Sequence, residues 1–146
     1  MSLRTTFLIL LSCLVFLFPG CTQSLKIVGF SESLNELLIG EATHNLWTGA
    51  GNFTVKALNS NIVCEGGAMI VQVSKPSSCV GQKGEIFGTC SDGRYIKGKY
   101  ITTSCTRGFG MAIDNLGNQY QFKFGVSEEE LNKIVEDYKN KVLKFL

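Results

Sequence analysis

Gly84-Glu-Ile-Phe-Gly-Thr-Cys-Ser-Asp-Gly-Arg-Tyr-Ile-Lys-Gly-Lys-Tyr-Ile, residues 84 to 101, is the stretch whose reading decides the fold. Two runs rich in Ile, Phe, Tyr and Thr flank Ser91-Asp92-Gly93, where Gly93 takes a positive φ at no steric cost, so the piece reads as a β-hairpin. A shift of 26 residues lays Cys64, Gly67, Ile70, Ser78, Cys79 and Gly84 onto Cys90, Gly93, Ile96, Ser104, Cys105 and Gly110. This is a weak internal repeat, and it carries the cysteine spacing with it.

Outward from the hairpin the same grammar continues. Phe53 and Val55 alternate with Thr54 and Lys56 before a turn at Asn59-Ser60-Asn61. Ala68 to Val73 reads as a strand stopped at Lys75-Pro76-Ser77-Ser78, where Pro76 lacks a backbone donor. Tyr120, Phe122 and Phe124 alternate with Gln119, Gln121 and Lys123, the cleanest period-two signal in the chain. Upstream, Glu41 to Trp47 is a poorly patterned first strand, and Ser33 to Gly40 reads equally as two helical turns or a strand lead-in. The expected fold is mainly β: an antiparallel β-meander over residues 41–125, rolled into a barrel or sandwich-like, with a C-terminal α-helix.

That helix occupies residues 126–146. Ser127-Glu-Glu-Glu130 forms a capping box with carboxylates at the positive end of the helix dipole. Leu131, Ile134, Val135, Tyr138, Val142 and Phe145 share one face, which packs on the protein's own sheet or, alternatively, meets a partner helix or membrane surface.

With 146 residues, 45% of them hydrophobic and 18% charged, the chain supports one core rather than two domains. Residues 1–20 are a signal peptide: Arg4 supplies the positive region, and Phe7 to Phe18 is an apolar run too short to span a bilayer. Leu17-Phe18-Pro19-Gly20-Cys21 resembles the lipobox of bacterial lipoproteins. Gly20 and Cys21 match that motif, whereas Phe18 and Pro19 stand where the family prefers an aliphatic and then a small residue. The resemblance implies cleavage before Cys21 and its acylation, with residues 21–40 as lipidated cysteine and tether. The competing reading is a plain secretory signal, with Cys21 free or paired. Cysteine parity favours the lipid, because Cys13 leaves with the signal and Cys64, Cys79, Cys90 and Cys105 form an even set.

Those four cysteines, with no C-x-x-C pair and no neighbouring histidine, read as disulfides rather than metal ligands. Of three possible pairings, equal spacing favours Cys64 with Cys79 and Cys90 with Cys105. The lone histidine, His44, is the only base for a small secreted hydrolase, which would need an acid and a nucleophile to converge on it. Asp92 and Asp114 are accounted for by turns. Gly108-Phe109-Gly110 lacks the third glycine of a dinucleotide fingerprint, so no cofactor is expected, and neither is nucleic acid. The candidate binding surface is Arg94, Tyr95, Lys97, Lys99, Tyr100, Arg107 and Phe109, basic and aromatic residues suited to an anionic polymer.

The run from Phe87-Gly-Thr-Cys-Ser-Asp-Gly-Arg94 through Gly117-Asn-Gln-Tyr-Gln-Phe-Lys-Phe-Gly125 resembles a loose group of small bacterial lipoproteins with cysteine-bearing antiparallel sheets. The resemblance implies a fold and a compartment, and it brings no catalytic residue. The expectation is therefore a non-enzymatic binding or assembly module of the bacterial cell envelope. Its lipid anchor would hold it in the outer membrane facing the periplasm, with an envelope protein or anionic polymer as partner; the alternative address is secretion.

Overall fold

The computed structural model describes residues 22–45 and 49–141. The expected signal peptide, Cys21, Trp47, Val142, Lys144 and Phe145 lie outside the described residues. Eight strands follow one another: β1 (Thr22–Ser31), β2 (Glu36–Asn45), β3 (Ala50–Ala57), β4 (Val63–Gln72), β5 (Lys83–Cys90), β6 (Tyr95–Thr102), β7 (Gly108–Asp114) and β8 (Gln119–Phe124). Each pairs antiparallel with the next, and β1 also pairs with β8, Ile27 opposite Phe124, so the meander closes into a barrel. Closure removes both edge strands and pairs the backbone all round. Gly93 has φ 87°, as the hairpin reading requires.

Strand alternation divides the residues between two sides. Ile27, Leu38, Phe53, Val55, Ile96, Ala112 and Tyr120 point inward and form the core. A second cluster sits outside the wall, where Val28 and Leu37 are fully buried beneath Leu131, Ile134, Val135 and Tyr138. The helix α1 (Glu128–Lys139) makes that cover, so its apolar stripe is spent on the protein's own barrel. The predicted capping box is present: Ser127 Oγ accepts from the Glu130 amide at 3.2 Å, and Glu130 Oε2 accepts from the Ser127 amide at 2.8 Å. Lys26–Glu128 and Arg107–Glu130 ion pairs, at 2.5 and 2.8 Å, tie the first turn to the wall. At the other end the Tyr138 hydroxyl donates to the Asn35 carbonyl at 2.9 Å and accepts from the Asn59 amide.

Two expectations change. Residues 21–40 are no tether: from Thr22 onward they form β1, the β1–β2 turn and the start of β2. The reason is burial on both faces, because Leu25 and Ile27 face the lumen while Val28 lies under α1, which erases the alternation that marks a half-exposed strand.

The second correction is the disulfide pairing, which is Cys64–Cys90 and Cys79–Cys105. Cys64 and Cys79 lie toward opposite ends of β4, whose ten residues at about 3.3 Å each span about 30 Å. β6 separates Cys90 from Cys105 in the same way. Each bridge instead joins positions 26 residues apart, the offset of the internal repeat. Cys64 and Cys90 are directly opposed across β4 and β5. Peptide mapping without reduction is expected to return these two pairs, and a Cys64–Cys79 peptide would refute the topology. Replacing Cys79 and Cys105 together by Ser should lower the unfolding free energy in urea by about 2–4 kcal/mol. The same change at the buried Cys64–Cys90 pair should cost more, because it also exchanges core sulfur for hydroxyl.

Candidate ligand-binding cavity

An antiparallel meander sends its connections alternately to the two ends of the barrel. The β1–β2, β3–β4, β5–β6 and β7–β8 turns lie at one end, the floor. The β2–β3, β4–β5 and β6–β7 connections lie at the other, the mouth, together with the start of β1 and the end of β8.

A buried carboxylate organises the floor. The Asp114 side chain is 0% exposed. Its Oδ1 accepts from the amides of Leu116 and Asn118 at 3.0 and 2.9 Å. Its Oδ2 accepts from Asn118 Nδ2, the Tyr120 hydroxyl and Arg94 Nη1 at 2.9, 2.9 and 3.0 Å. Burial alone would raise the carboxyl's pKa, but the bonds from Asn118, Tyr120 and Arg94 outweigh it and hold the pKa at about 2. Arg94 also donates from Nε to Asp92 at 2.6 Å and from Nη1 to the Tyr120 oxygen at 2.5 Å. Burial, and then the bond to Asp114, pushes the Tyr120 phenol up.

Above the floor lies a lumen of about 410 Å³ that opens toward the mouth. Leu25, Ile27, Leu38, Phe53, Val55 and Ile86 contribute its wall. Among the described residues, no Lys, Arg, Asp or Glu lines it. Its width depends on glycine: a Cβ at Gly84 would stand 2.0 Å from the Tyr100 ring, and one at Gly108 would stand 2.3 Å from the Phe124 ring. Without those carbons the rings lie flat against the wall and meet edge to face, centroids 5.6 Å apart. His44, on β2, lines the lumen near the mouth, and partial burial lowers its pKa. The Tyr100 phenol is raised by burial alone.

The seven residues of the candidate binding surface do not form one surface. Arg94 is consumed in the floor, Tyr100 faces the lumen, and Arg107 pairs with Glu130. Tyr95, Lys97, Lys99 and Phe109 stand exposed on the outer wall. There Lys97 opposes Phe87 and Ile113, and Lys99 opposes Glu85 and Met111. The lumen was missed as a site, although its signal was present in the small and apolar residues at every second position of β3, β5 and β7. Among the described residues, no group of three or more His, Cys, Asp and Glu side chains could hold a metal ion.

No family model matches the chain, and no curated protein does. Solved structures of similar fold include a de novo designed fluorescence-activating β-barrel. It is 14% identical, covers 74% of this chain and 94% of its own, and has a TM-score of 0.51. A redesigned β-barrel, mFAP1, bound to DFHBI, is 11% identical over 70% of this chain and 92% of its own, with a TM-score of 0.53. At such identities the likeness shows the closed eight-stranded barrel and nothing finer.

The floor predicts a distinct acid response. The folded-state pKa of Asp114, about 2, lies below the ordinary 3.8, so its contribution is complete above about pH 4 and is lost as the pH falls toward 2. The size is on the order of 2 kcal/mol. Asp114→Asn should therefore destabilise the barrel at neutral pH and flatten the loss of stability between about pH 4 and pH 2. Identical acid slopes in urea titrations of the two proteins would show that the floor carboxylate is not what acid attacks.

Proposed function

We propose that this protein is an exported, lipid-anchored and non-enzymatic binding protein that holds one small, uncharged, largely apolar molecule in its barrel lumen. The observation that carries the reading is the lumen itself, about 410 Å³ with an apolar wall and one open end. An eight-stranded barrel is just wide enough to enclose one small ligand, and an apolar cavity of this volume is of ligand size. A charged group inside would be stripped of water with no opposite charge among the described lining residues, so neutral ligands are favoured. A designed barrel of similar fold, mFAP1, is bound to DFHBI.

The address rests on the lipobox-like Cys21 and the export signal, and two disulfides suit an oxidising compartment. Acylated Cys21 would hold the barrel on the envelope membrane, the outer membrane facing the periplasm being the favoured site. The non-catalytic reading is supported by His44. Its shift comes from burial alone, and the buried carboxylate Asp114 is engaged at the opposite end of the barrel.

Titration with the neutral fluorophore N-phenyl-1-naphthylamine tests the reading. One probe per chain should bind with enhanced emission, and Ala68→Phe, which fills the lumen from β4, should weaken binding at least about tenfold, or 1.4 kcal/mol. Gly84→Ala, which drives the Tyr100 ring off the wall, should weaken it in the same direction. Circular dichroism confirms that each variant is folded. Unchanged affinity in both folded variants, or no saturable binding by the native protein, would sink the lumen as a binding site.

A further inference from the structure

The mouth of the barrel differs from its floor in charge as well as in shape. The mouth connections, residues 46–49, 73–82 and 103–107, contain no Asp or Glu. Lys75 lies in the longest of them and Lys83 begins β5 beside it, both exposed. Around them Val71, Val73 and Val80 are 52%, 54% and 57% exposed. The acidic residues near the mouth stand on the outer wall: Glu85, two residues into β5 from Lys83, and Glu128, Glu129 and Glu130 on the first turn of α1, of which Glu128 and Glu130 are paired with Lys26 and Arg107. The floor turns also expose leucines, Leu34, Leu58 and Leu116, but they carry Glu32, and their Asp92 is paired with Arg94. Exposed apolar side chains beside lysines, on connections that carry no carboxylate of their own, suit the interface of an anionic bilayer.

A second observation selects the same end. β1 begins at Thr22, one residue after Cys21, and β1 starts at the mouth. One residue gives at most about 3.6 Å of backbone, so lipid on Cys21 would keep the mouth, rather than the floor, at the membrane.

We propose that the barrel docks mouth-down on an anionic phospholipid bilayer, so that its lumen opens onto the membrane. Its ligand is then a neutral, single-chain amphiphile that enters from the lipid with its hydrocarbon leading and leaves its polar end among the mouth residues. This rests on the lumen reading for the identity of the ligand; the docking stands on the rim and, with the acylation of Cys21 proposed above, on the start of β1.

Depth-dependent quenching distinguishes the two ends. Protein extracted from its host membrane, with Trp47→Phe to remove the sole native tryptophan, carries one reporter at a time: Val80→Trp or Thr103→Trp at the mouth, or Leu116→Trp at the floor. Each is reconstituted on vesicles of equal phosphatidylglycerol and phosphatidylcholine with brominated acyl chains. Both mouth reporters should be quenched several-fold more than the floor reporter. Equal quenching at the two ends, stronger quenching at Leu116→Trp, or none at either end, as when a protein partner covers the rim, overturns the docking. N-phenyl-1-naphthylamine titration of the same preparations separates the two ideas. Saturable probe binding with unquenched mouth reporters leaves the lumen reading standing and removes the docking, whereas quenched mouth reporters with no probe binding remove the lumen reading and the ligand while the docking stands.

Discussion

The pairing of β1 with β8 is the constraint on which the rest of this molecule depends. Once the sheet closes, every strand has an inside and an outside, and the inner positions share a volume set by strand number rather than by any single side chain. Large residues at all of those positions would fill it. Here the inner face mixes Leu, Ile and Phe with Gly and Ala, and aromatic rings lie over glycines instead of projecting across the barrel. The lumen is thus a product of sequence and closure together, and losing either would collapse it.

Closure also creates two ends that must be managed differently. At the floor the problem is a carboxylate inside a low-dielectric core, which is tolerable only when its lone pairs are satisfied. Asp114 meets that condition with two backbone amides, an amide side chain, a phenol and a guanidinium, and in doing so binds the β7–β8 turn to the β5–β6 turn and β8. Those five donors hold the group in its ionised form and tie the floor together. At the mouth a disulfide does the corresponding work. Cys79–Cys105 joins the β4–β5 and β6–β7 connections without filling the opening, so the rim is constrained while the lumen stays accessible.

How much of this was legible varies with how each strand is buried. β5 to β8 are covered on one face only, and their alternation can be read directly, down to the inward Tyr120 and the positive φ of Gly93. β1 could not be read that way, because α1, about a hundred residues downstream, covers its outer face and turns a period-two pattern into an undifferentiated apolar run. The disulfide pairing departs from the spacing for a related reason: each intervening strand carries the chain to the other end of the barrel. The 26-residue repeat contained the answer, since it steps two strands forward and so returns to the same end of the barrel, carrying Cys79 onto Cys105. The candidate surface failed because Arg94, Tyr95, Tyr100 and Arg107 differ in facing, and facing depends on register rather than residue type. One residue along β6 separates the interior from solvent.

The same distinction governs what the lumen can select. Apolar area alone rewards any hydrocarbon that fits and discriminates only weakly among them. Selectivity has to come from polar atoms, and the floor provides none to spare, because the Tyr120 hydroxyl is already committed to Asp114 and Arg94. The polar lining groups left nearer the mouth include the His44 imidazole, kept neutral near physiological pH by its lowered pKa, and the Tyr100 phenol, kept protonated by burial. Neither supplies a charge to pair with an ionised head, but each can exchange a hydrogen bond with a neutral one. Among the described lining residues a polar end lodged at the floor would find only the committed Tyr120 hydroxyl, whereas the same end at the mouth would meet these groups or water. The orientation of the proposed ligand would therefore follow from where the barrel has already spent its hydrogen-bonding capacity.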